Sequence, residues 1–147
     1  MSIQSYRDLE VWQKSRMLVT QLYQLTKTFP KEENYGLTSQ LRRAAVSVPS
    51  NIAEGKSRRA TKDYMRFLDI AYGSVAEVET QLFIACDLGY TTEKNVSSLL
   101  GGYAEIGRML NGLLSSLERC LKTPESRILN PESKIEPQTL NSELAYA

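Results

Sequence analysis

The sequence contains no histidine and only two cysteines among its 147 residues. Without histidine, the chain lacks the commonest general base and the commonest metal ligand. Four-helix bundles that bind di-iron place Glu-x-x-His pairs on facing helices, and no such pair exists here. We therefore expect no catalytic residue, no metal site and no cofactor, and we interpret the protein as a non-enzyme.

Long apolar runs are also absent. No stretch approaches the roughly 18 consecutive apolar residues that a membrane-spanning helix needs. The opening residues lack the charged-then-apolar pattern of a signal peptide, so we expect a cytoplasmic protein without a membrane partner. Cys86 and Cys120 fall near the ends of two different predicted helices. That placement disfavours an intrachain disulfide, and we expect buried free thiols.

Apolar residues recur with helical spacing through most of the chain, and this predicts an all-α fold. We predict an antiparallel, up-down-up-down four-helix bundle in residues 1–121. Its helices are predicted at Tyr6–Phe29, Tyr35–Gly55, Thr61–Leu88 and Thr92–Leu121. Ser5 and Asp8 approximate a capping box at the first of these helices.

The third and fourth helices carry the clearest heptad seams, in which apolar spacings alternate between three and four. The seam of the third helix contains Tyr64, Leu68, Ala71, Val75, Val78, Leu82 and Ala85. The seam of the fourth contains Val96, Leu99, Tyr103, Ile106, Leu110, Leu113 and Leu117. Such seams are expected in a left-handed bundle.

The second helix contains Pro49, which removes one backbone hydrogen bond and clashes with the preceding turn. We therefore predict a kink at Pro49. Gly55 stands where a left-handed C-cap is common, and we predict that it ends this helix. Gly73, in the interior of the third helix, suggests close approach by a neighbouring helix.

Residues 122–147 lose the helical pattern. PESRILN is followed by PESKIEP, a near-repeat with a seven-residue period and recurring prolines. We predict a flexible tail that carries no chemistry.

Charge is divided unevenly along a chain whose net charge is only +1. Residues 1–60 hold ten Lys/Arg and five Asp/Glu, whereas residues 61–121 hold five and eight. A basic half-chain permits a local nucleic-acid surface, and it equally permits packing between basic and acidic faces of neighbouring subunits. The basic residues that we assign to phosphate contacts are Arg42, Arg43, Lys56, Arg58, Arg59, Lys62 and Arg66.

A second apolar face accompanies the core stripe on the second and third helices. A monomeric bundle needs one apolar stripe per helix, so the excess predicts an oligomer. The residues that we assign to this interface are Val46, Pro49, Ala53, Met65, Tyr72 and Phe83.

Three segments resemble a known family. QLRRAAVSVPSNIAEG (Gln40–Gly55), AYGSVAEVETQ (Ala71–Gln81) and YRDLEVWQKS (Tyr6–Ser15) are similar to the four-helix bundle proteins encoded in intervening sequences of bacterial large-subunit ribosomal RNA genes. The resemblance covers about Tyr6–Leu121 and implies a homopentameric ring. It also implies kinship to the accessory protein of diversity-generating retroelements, which binds nucleic acid and a reverse transcriptase.

Two functions of different classes follow. The first is an oligomeric scaffold that binds RNA or DNA through its basic surface without reading sequence, since no aromatic-rich strand platform for stacking bases is evident. The second is a protein-interaction module, in which Arg42 and Arg43 pair with acidic residues of another subunit or partner. A third, narrower option is the reverse-transcriptase accessory role that the resemblance implies.

Overall fold

The computed structural model describes residues 5–122, which form four α-helices and two short 3-10 turns. No strand occurs in this range, and the predicted all-α four-helix bundle is confirmed. The helices are α1 (Glu10–Thr26), α2 (Leu37–Lys56), α3 (Thr61–Asp87) and α4 (Glu93–Lys122), and the 3-10 turns span Tyr6–Asp8 and Lys31–Glu33. Lys122 belongs to α4, and the rest of the predicted tail lies outside the described residues.

The chain divides into two compact units, Met1–Leu110 and Asn111–Ala147. The first contains α1, α2, α3 and α4 as far as Leu110, and the second contains the remainder of α4. Every contact discussed below lies within the first unit.

Helices α2 and α3 run side by side in opposite directions. The hydroxyls of Ser47 and Ser74 share a hydrogen bond of 2.8 Å in the middle of the pair. Gly55, near the end of α2, packs against Phe67, near the start of α3. In these contacts the residue number on α3 falls as the residue number on α2 rises. The two helices are therefore antiparallel and form a hairpin.

Helices α1 and α4 are antiparallel by the same criterion. Lys14 forms an ion pair with Glu105, and Leu18 lies against Gly102. A Cβ at Gly102 would stand 2.6 Å from Leu18 Cδ2, so the missing side chain lets the two helices approach. The hydrogen bond from Lys14 lowers the pKa of Glu105, and the same bond raises the pKa of Lys14.

The predicted seams of α3 and α4 form the centre of the core. All seven predicted seam residues of α3 are buried, and so are the five seam residues of α4 up to Leu110. Fully burying one such leucine or valine stabilises the fold by about 1.5–3 kcal/mol. The largest fully buried side chains include Tyr103, Leu22, Leu41, Ile52, Leu68, Leu82, Ile106 and Leu110.

The first helix begins later than predicted. Ser5 and Asp8 do form the capping box, but it closes the 3-10 turn Tyr6–Asp8 rather than an α-helix. Leu9 follows with an extended backbone (φ −72°, ψ 122°), and α1 starts at Glu10. The helix ends at Thr26, whose hydroxyl donates to the carbonyl oxygen of Leu22 at 3.0 Å.

The prediction that Gly55 ends α2 as a left-handed cap was wrong. The helix continues to Lys56, and Gly89 (φ 76°), which follows α3, is the only described residue with a positive φ. Gly55 is buried instead, and a Cβ there would meet the Cβ of Phe67 at 2.7 Å and the carbonyl oxygen of Tyr64 at 3.1 Å. Glycine is needed here for close packing of α2 on α3.

Helix α2 continues through Pro49 as one element, and the predicted kink remains a prediction. Ser47 Oγ, one half-turn before the proline, accepts a hydrogen bond of 2.9 Å from Asn51 Nδ2. Together with the bond to Ser74, this small polar network ties α2 to α3 beside the weakened turn.

Two further sequence expectations differ from the structure. Gly73 has no atom within 4 Å of an added Cβ, so within the described residues no close helix contact explains it. Cys86 is half-buried and Cys120 is exposed, so the prediction of buried thiols was wrong for Cys120. Neither cysteine forms a disulfide. None of the described helices combines the length and apolar character that crossing a membrane requires.

The different surroundings of Gly55 and Gly73 allow a matched pair of alanine substitutions. Gly55→Ala forces a methyl group against backbone and Cβ atoms that cannot rotate away, and we expect it to lower the free energy of unfolding by about 1–3 kcal/mol. Gly73→Ala places the same methyl group in open space on a helix and should raise that free energy by about 1 kcal/mol. Urea denaturation of both variants measures the difference. Equal effects in the two variants would contradict the assigned role of Gly55.

Candidate nucleic-acid interface

The seven predicted phosphate-contacting residues fall into two separate groups. Arg42 and Arg43 lie in the first half of α2, whereas the other five lie between Lys56 and Arg66. Fourteen residues separate Arg42 from Lys56 along α2, which corresponds to about 21 Å at the rise of an α-helix. The structure therefore does not bring all seven together as one patch.

The second group surrounds the short connection between α2 and α3, and we call residues 56–66 the basic turn. It contains five cations, Lys56, Arg58, Arg59, Lys62 and Arg66. The neighbouring carboxylates Glu54 and Asp63 offset two of these positive charges, so the net charge is +3.

Two arginines of the basic turn lie over one buried ring. The guanidinium carbons of Arg58 and Arg66 are each 4.9 Å from the ring centroid of Phe67. Arg58 also pairs with Glu54 at 2.9 Å, and Arg66 approaches Asp63 at 3.8 Å. These side chains are 45–62 % exposed, and exposed ion pairs contribute at most about 1 kcal/mol and weaken in salt. A phosphate group can therefore compete with either carboxylate.

Lys56 makes a similar contact with a second buried ring. Its Nζ lies 5.6 Å from the ring centroid of Tyr64. Burial raises the pKa of Tyr64 to about 12, so the phenol remains neutral at physiological pH and adds no negative charge beneath the turn. Arg59 and Lys62 are exposed, and Arg59 forms no ion pair or hydrogen bond with any other described residue.

Arg42 is half-buried and connects two helices. Its Nε donates a hydrogen bond of 2.9 Å to Thr26 Oγ1 on α1, and its guanidinium lies 4.5 Å from the ring centroid of Tyr23. Both contacts fasten α2 to the last turns of α1, so the side chain has a structural role. Arg43 is exposed and lines, with Arg42, a groove of about 510 Å³.

The predicted interface residues differ in exposure. Phe83 is 54 % exposed, Tyr72 43 % and Val46 40 %, so these three present apolar surface. Pro49 and Ala53 are half-buried. Met65 is only 8 % exposed and belongs to the core of its own chain, because α3 directs it inward beside Tyr64. It therefore offers little surface to a second subunit.

A further group of residues was missed by the sequence reasoning. Trp12 and Tyr6 stand in an edge-to-face arrangement with ring centroids 5.3 Å apart. The guanidinium carbon of Arg16 lies 5.4 Å from the Trp12 ring, and that of Arg7 lies 5.8 Å from the Tyr6 ring. The spacing of Trp12 and Arg16, one helical turn apart, was the available signal. The contribution of the 3-10 turn was not visible in the sequence.

Among the residues that the structure describes, no three acidic or cysteine side chains gather into a group that could hold a metal ion.

The comparisons with known proteins agree with the fold. The family model described as 23S rRNA-intervening sequence protein matches residues 7–112. A crystal structure of a protein of unknown function from the S23 ribosomal protein family of Bacteroides thetaiotaomicron is similar, with a TM-score of 0.66 and 23 % sequence identity. The match covers 71 % of this chain and 97 % of that one, and at this identity it supports the fold alone. No curated protein matches the chain. Neither description mentions a catalytic activity.

Proposed function

The chain belongs to the family of 23S rRNA-intervening sequence proteins, and on this premise we propose that it is a non-enzymatic helical scaffold that binds RNA through the basic turn. The family and the bundle fold fit a scaffold role. The observation that carries the RNA-binding proposal is the concentration of cations between α2 and α3.

The charge of the basic turn suits a polyphosphate backbone. Five cations lie within eleven consecutive residues, and the neighbouring carboxylates offset only two of them. Lysine and arginine side chains that contact phosphates supply affinity without reading bases, and each contact releases counterions. Binding of this kind tolerates many sequences and falls steeply as salt rises.

The structure also limits the freedom of these cations before any ligand arrives. Arg58 and Arg66 lie over Phe67, which is itself packed against Gly55. Ordering a rotamer-rich side chain on binding costs about 0.5–1.5 kcal/mol, so side chains that are already positioned lose less. Two of the five cations of the basic turn are thus positioned by a buried ring before RNA binds.

Charge reversal within the basic turn tests the proposal. In the double variant Arg59→Glu/Lys62→Glu, we expect RNA affinity at low salt to fall about tenfold or more, because two phosphate contacts become repulsive. The slope of log affinity against log salt should also decrease by about 1.4–1.8. Fluorescence anisotropy of labelled RNA across a salt series measures both quantities, and circular dichroism verifies the fold.

The matched control is Lys94→Glu/Arg108→Glu, which makes the same charge change at exposed positions on α4. We expect a smaller loss of affinity and an unchanged slope. The proposal fails if the two double variants lose affinity equally, or if the wild-type protein does not bind RNA even at low salt.

A second candidate function is assembly with other copies of the chain, for which a homopentamer is the predicted form. It is favoured by the exposed apolar side chains Tyr72 and Phe83, eleven residues apart and therefore on one flank of α3. Such side chains on one flank are typical of a surface that packs against protein. Assembly and RNA binding are compatible, since a ring would repeat the basic turn around its axis. A reverse transcriptase remains a partner predicted only from the family resemblance.

Assembly can be tested at Phe83. The variant Phe83→Glu places a charge on the proposed interface, and we expect the assembled species to dissociate toward monomers. Met17→Glu is the control, since Met17 is an apolar side chain on α1 with 62 % exposure. Light scattering after size-exclusion chromatography measures the mass. A monomeric wild-type protein, or an assembly that survives Phe83→Glu, would contradict this candidate.

A further inference from the structure

We propose that the groove beside the start of α1 binds an unpaired base together with its phosphate, so that the nucleic acid is held as a single strand. The groove has a volume of about 700 Å³ and is lined by Tyr6, Arg7, Trp12, Gln13 and Arg16. This inference rests on the proposed RNA-binding function and adds a site and a ligand class to it.

The groove combines flat rings with guanidinium groups. Tyr6 and Trp12 are both half-buried, so each is held by the protein while part of the residue remains accessible. Arg7 and Arg16 lie within 6 Å of these rings, where the positive charge is attracted by the ring electrons. Proteins that hold single strands use aromatic rings and guanidinium planes to stack bases, and they use cationic side chains to follow phosphates.

The local geometry holds these groups in place. Tyr6 belongs to the 3-10 turn that the Ser5–Asp8 capping box closes, so its position is defined. Gln13 Nε2 donates a hydrogen bond of 2.8 Å to the carbonyl oxygen of Arg7 and fastens that turn to α1. The ligand therefore meets a groove that is already formed.

The charge of the groove selects an anionic ligand. Two of its five lining residues are arginines and none is acidic. Neither arginine forms an ion pair with a carboxylate among residues 5–122. The nearby carboxylates are engaged elsewhere, because Asp8 accepts a hydrogen bond from the Ser5 backbone and Glu10 pairs with Lys14.

Along the helix axes, the groove lies at the end of the bundle where the basic turn begins. Helix α2 contacts α1 and also the 3-10 turn that precedes it. Near its end, α1 contacts Arg42 through Thr26, so the start of α1 lies opposite a later part of α2. At equal rise along the two helices, Leu9 falls opposite about residue 59. A strand held by phosphate contacts at the basic turn can thus extend into the groove.

A nucleic-acid duplex cannot place a base in this groove. In paired RNA the bases are stacked inside the helix and unavailable to a ring on the protein, whereas unpaired bases can be splayed out and stacked. The basic turn contacts phosphates of either form, so it does not discriminate between them. Preference for a single strand is therefore the property that separates the groove from the basic turn.

Trp12 is the only tryptophan of the chain, and its fluorescence reports directly on the groove. We would titrate the full-length protein with a short unstructured RNA, a DNA of the same sequence and a blunt RNA duplex of equal length. Fluorescence anisotropy of the labelled strands reports binding anywhere on the protein. We expect both single strands to quench Trp12 and the duplex to bind without quenching.

Arg16→Ala tests the contribution of the groove to affinity. The exposed Arg16 is removed without opening the core, and we expect single-strand affinity to fall about fivefold or more, with duplex affinity changing less. Arg16→Lys keeps the positive charge but lacks the planar guanidinium group, and it should recover only part of the affinity. Arg108→Ala, on α4, is the charge-matched control and should leave the preference for single strands unchanged.

The outcomes separate this inference from the function on which it rests. Binding of RNA without quenching of Trp12, equal quenching by single strand and duplex, or equal losses in Arg16→Ala and Arg108→Ala would each overturn the groove while leaving RNA binding at the basic turn intact. Absence of binding by every strand, seen as unchanged anisotropy, would overturn both. Quenching by DNA but not by RNA would keep the groove and contradict RNA as its ligand.

Discussion

The close packing of Gly55 against Phe67 and Tyr64 is the contact on which the rest of the structure depends. It brings the end of α2 directly onto the first turns of α3, with no room for a Cβ between them. Only a short connection then joins the helices, and residues that carry charge on either side of it become neighbours. A wider separation would leave Lys56 and Arg66 on unrelated surfaces.

Phe67 links the fold to the proposed RNA surface. Its ring is buried, and its position is fixed by the glycine below it. The same ring lies under the guanidinium groups of Arg58 and Arg66, so the side chain that fills the core beneath the turn also orients its charge. The rings of α1 repeat the arrangement, with Arg16 beside Trp12 and Arg42 beside Tyr23. Aromatic side chains at helix flanks thus serve as supports for arginine throughout this unit.

Much of the fold follows from periodicity alone. The seam of α3, and that of α4 as far as Leu110, were predicted residue by residue, because spacings of three and four leave few alternatives to a bundle core. Gly55 was misinterpreted, since a capping glycine and a close-packing glycine look the same until the partner helix is known. The box formed by Ser5 and Asp8 was recognised, yet the sequence does not distinguish a 3-10 turn from the first turn of an α-helix. Met65 was predicted on the outer flank of α3. Periodicity shows which face of a helix is most apolar, but it does not show how wide the buried face is.

The cations of the candidate site are visible in the sequence, but their arrangement is not. The sequence identified all seven cations, whereas the structure separates Arg42 and Arg43 from the basic turn and gives Arg42 a hydrogen bond to Thr26. Pairing of an arginine with a ring across two helices depends on tertiary packing, and no local pattern encodes it. The arginine–aromatic groove at the start of α1 went unnoticed for the same reason.

The most direct test of the central claim is amide hydrogen exchange of the protein with and without RNA. Residues 57–60 lie between α2 and α3 and should exchange readily in the free protein. If the basic turn holds the RNA, exchange slows in this segment and in the first turn of α3, while exchange in α4 is unchanged. Protection confined to α4, with the basic turn exchanging as in the free protein, would contradict the account.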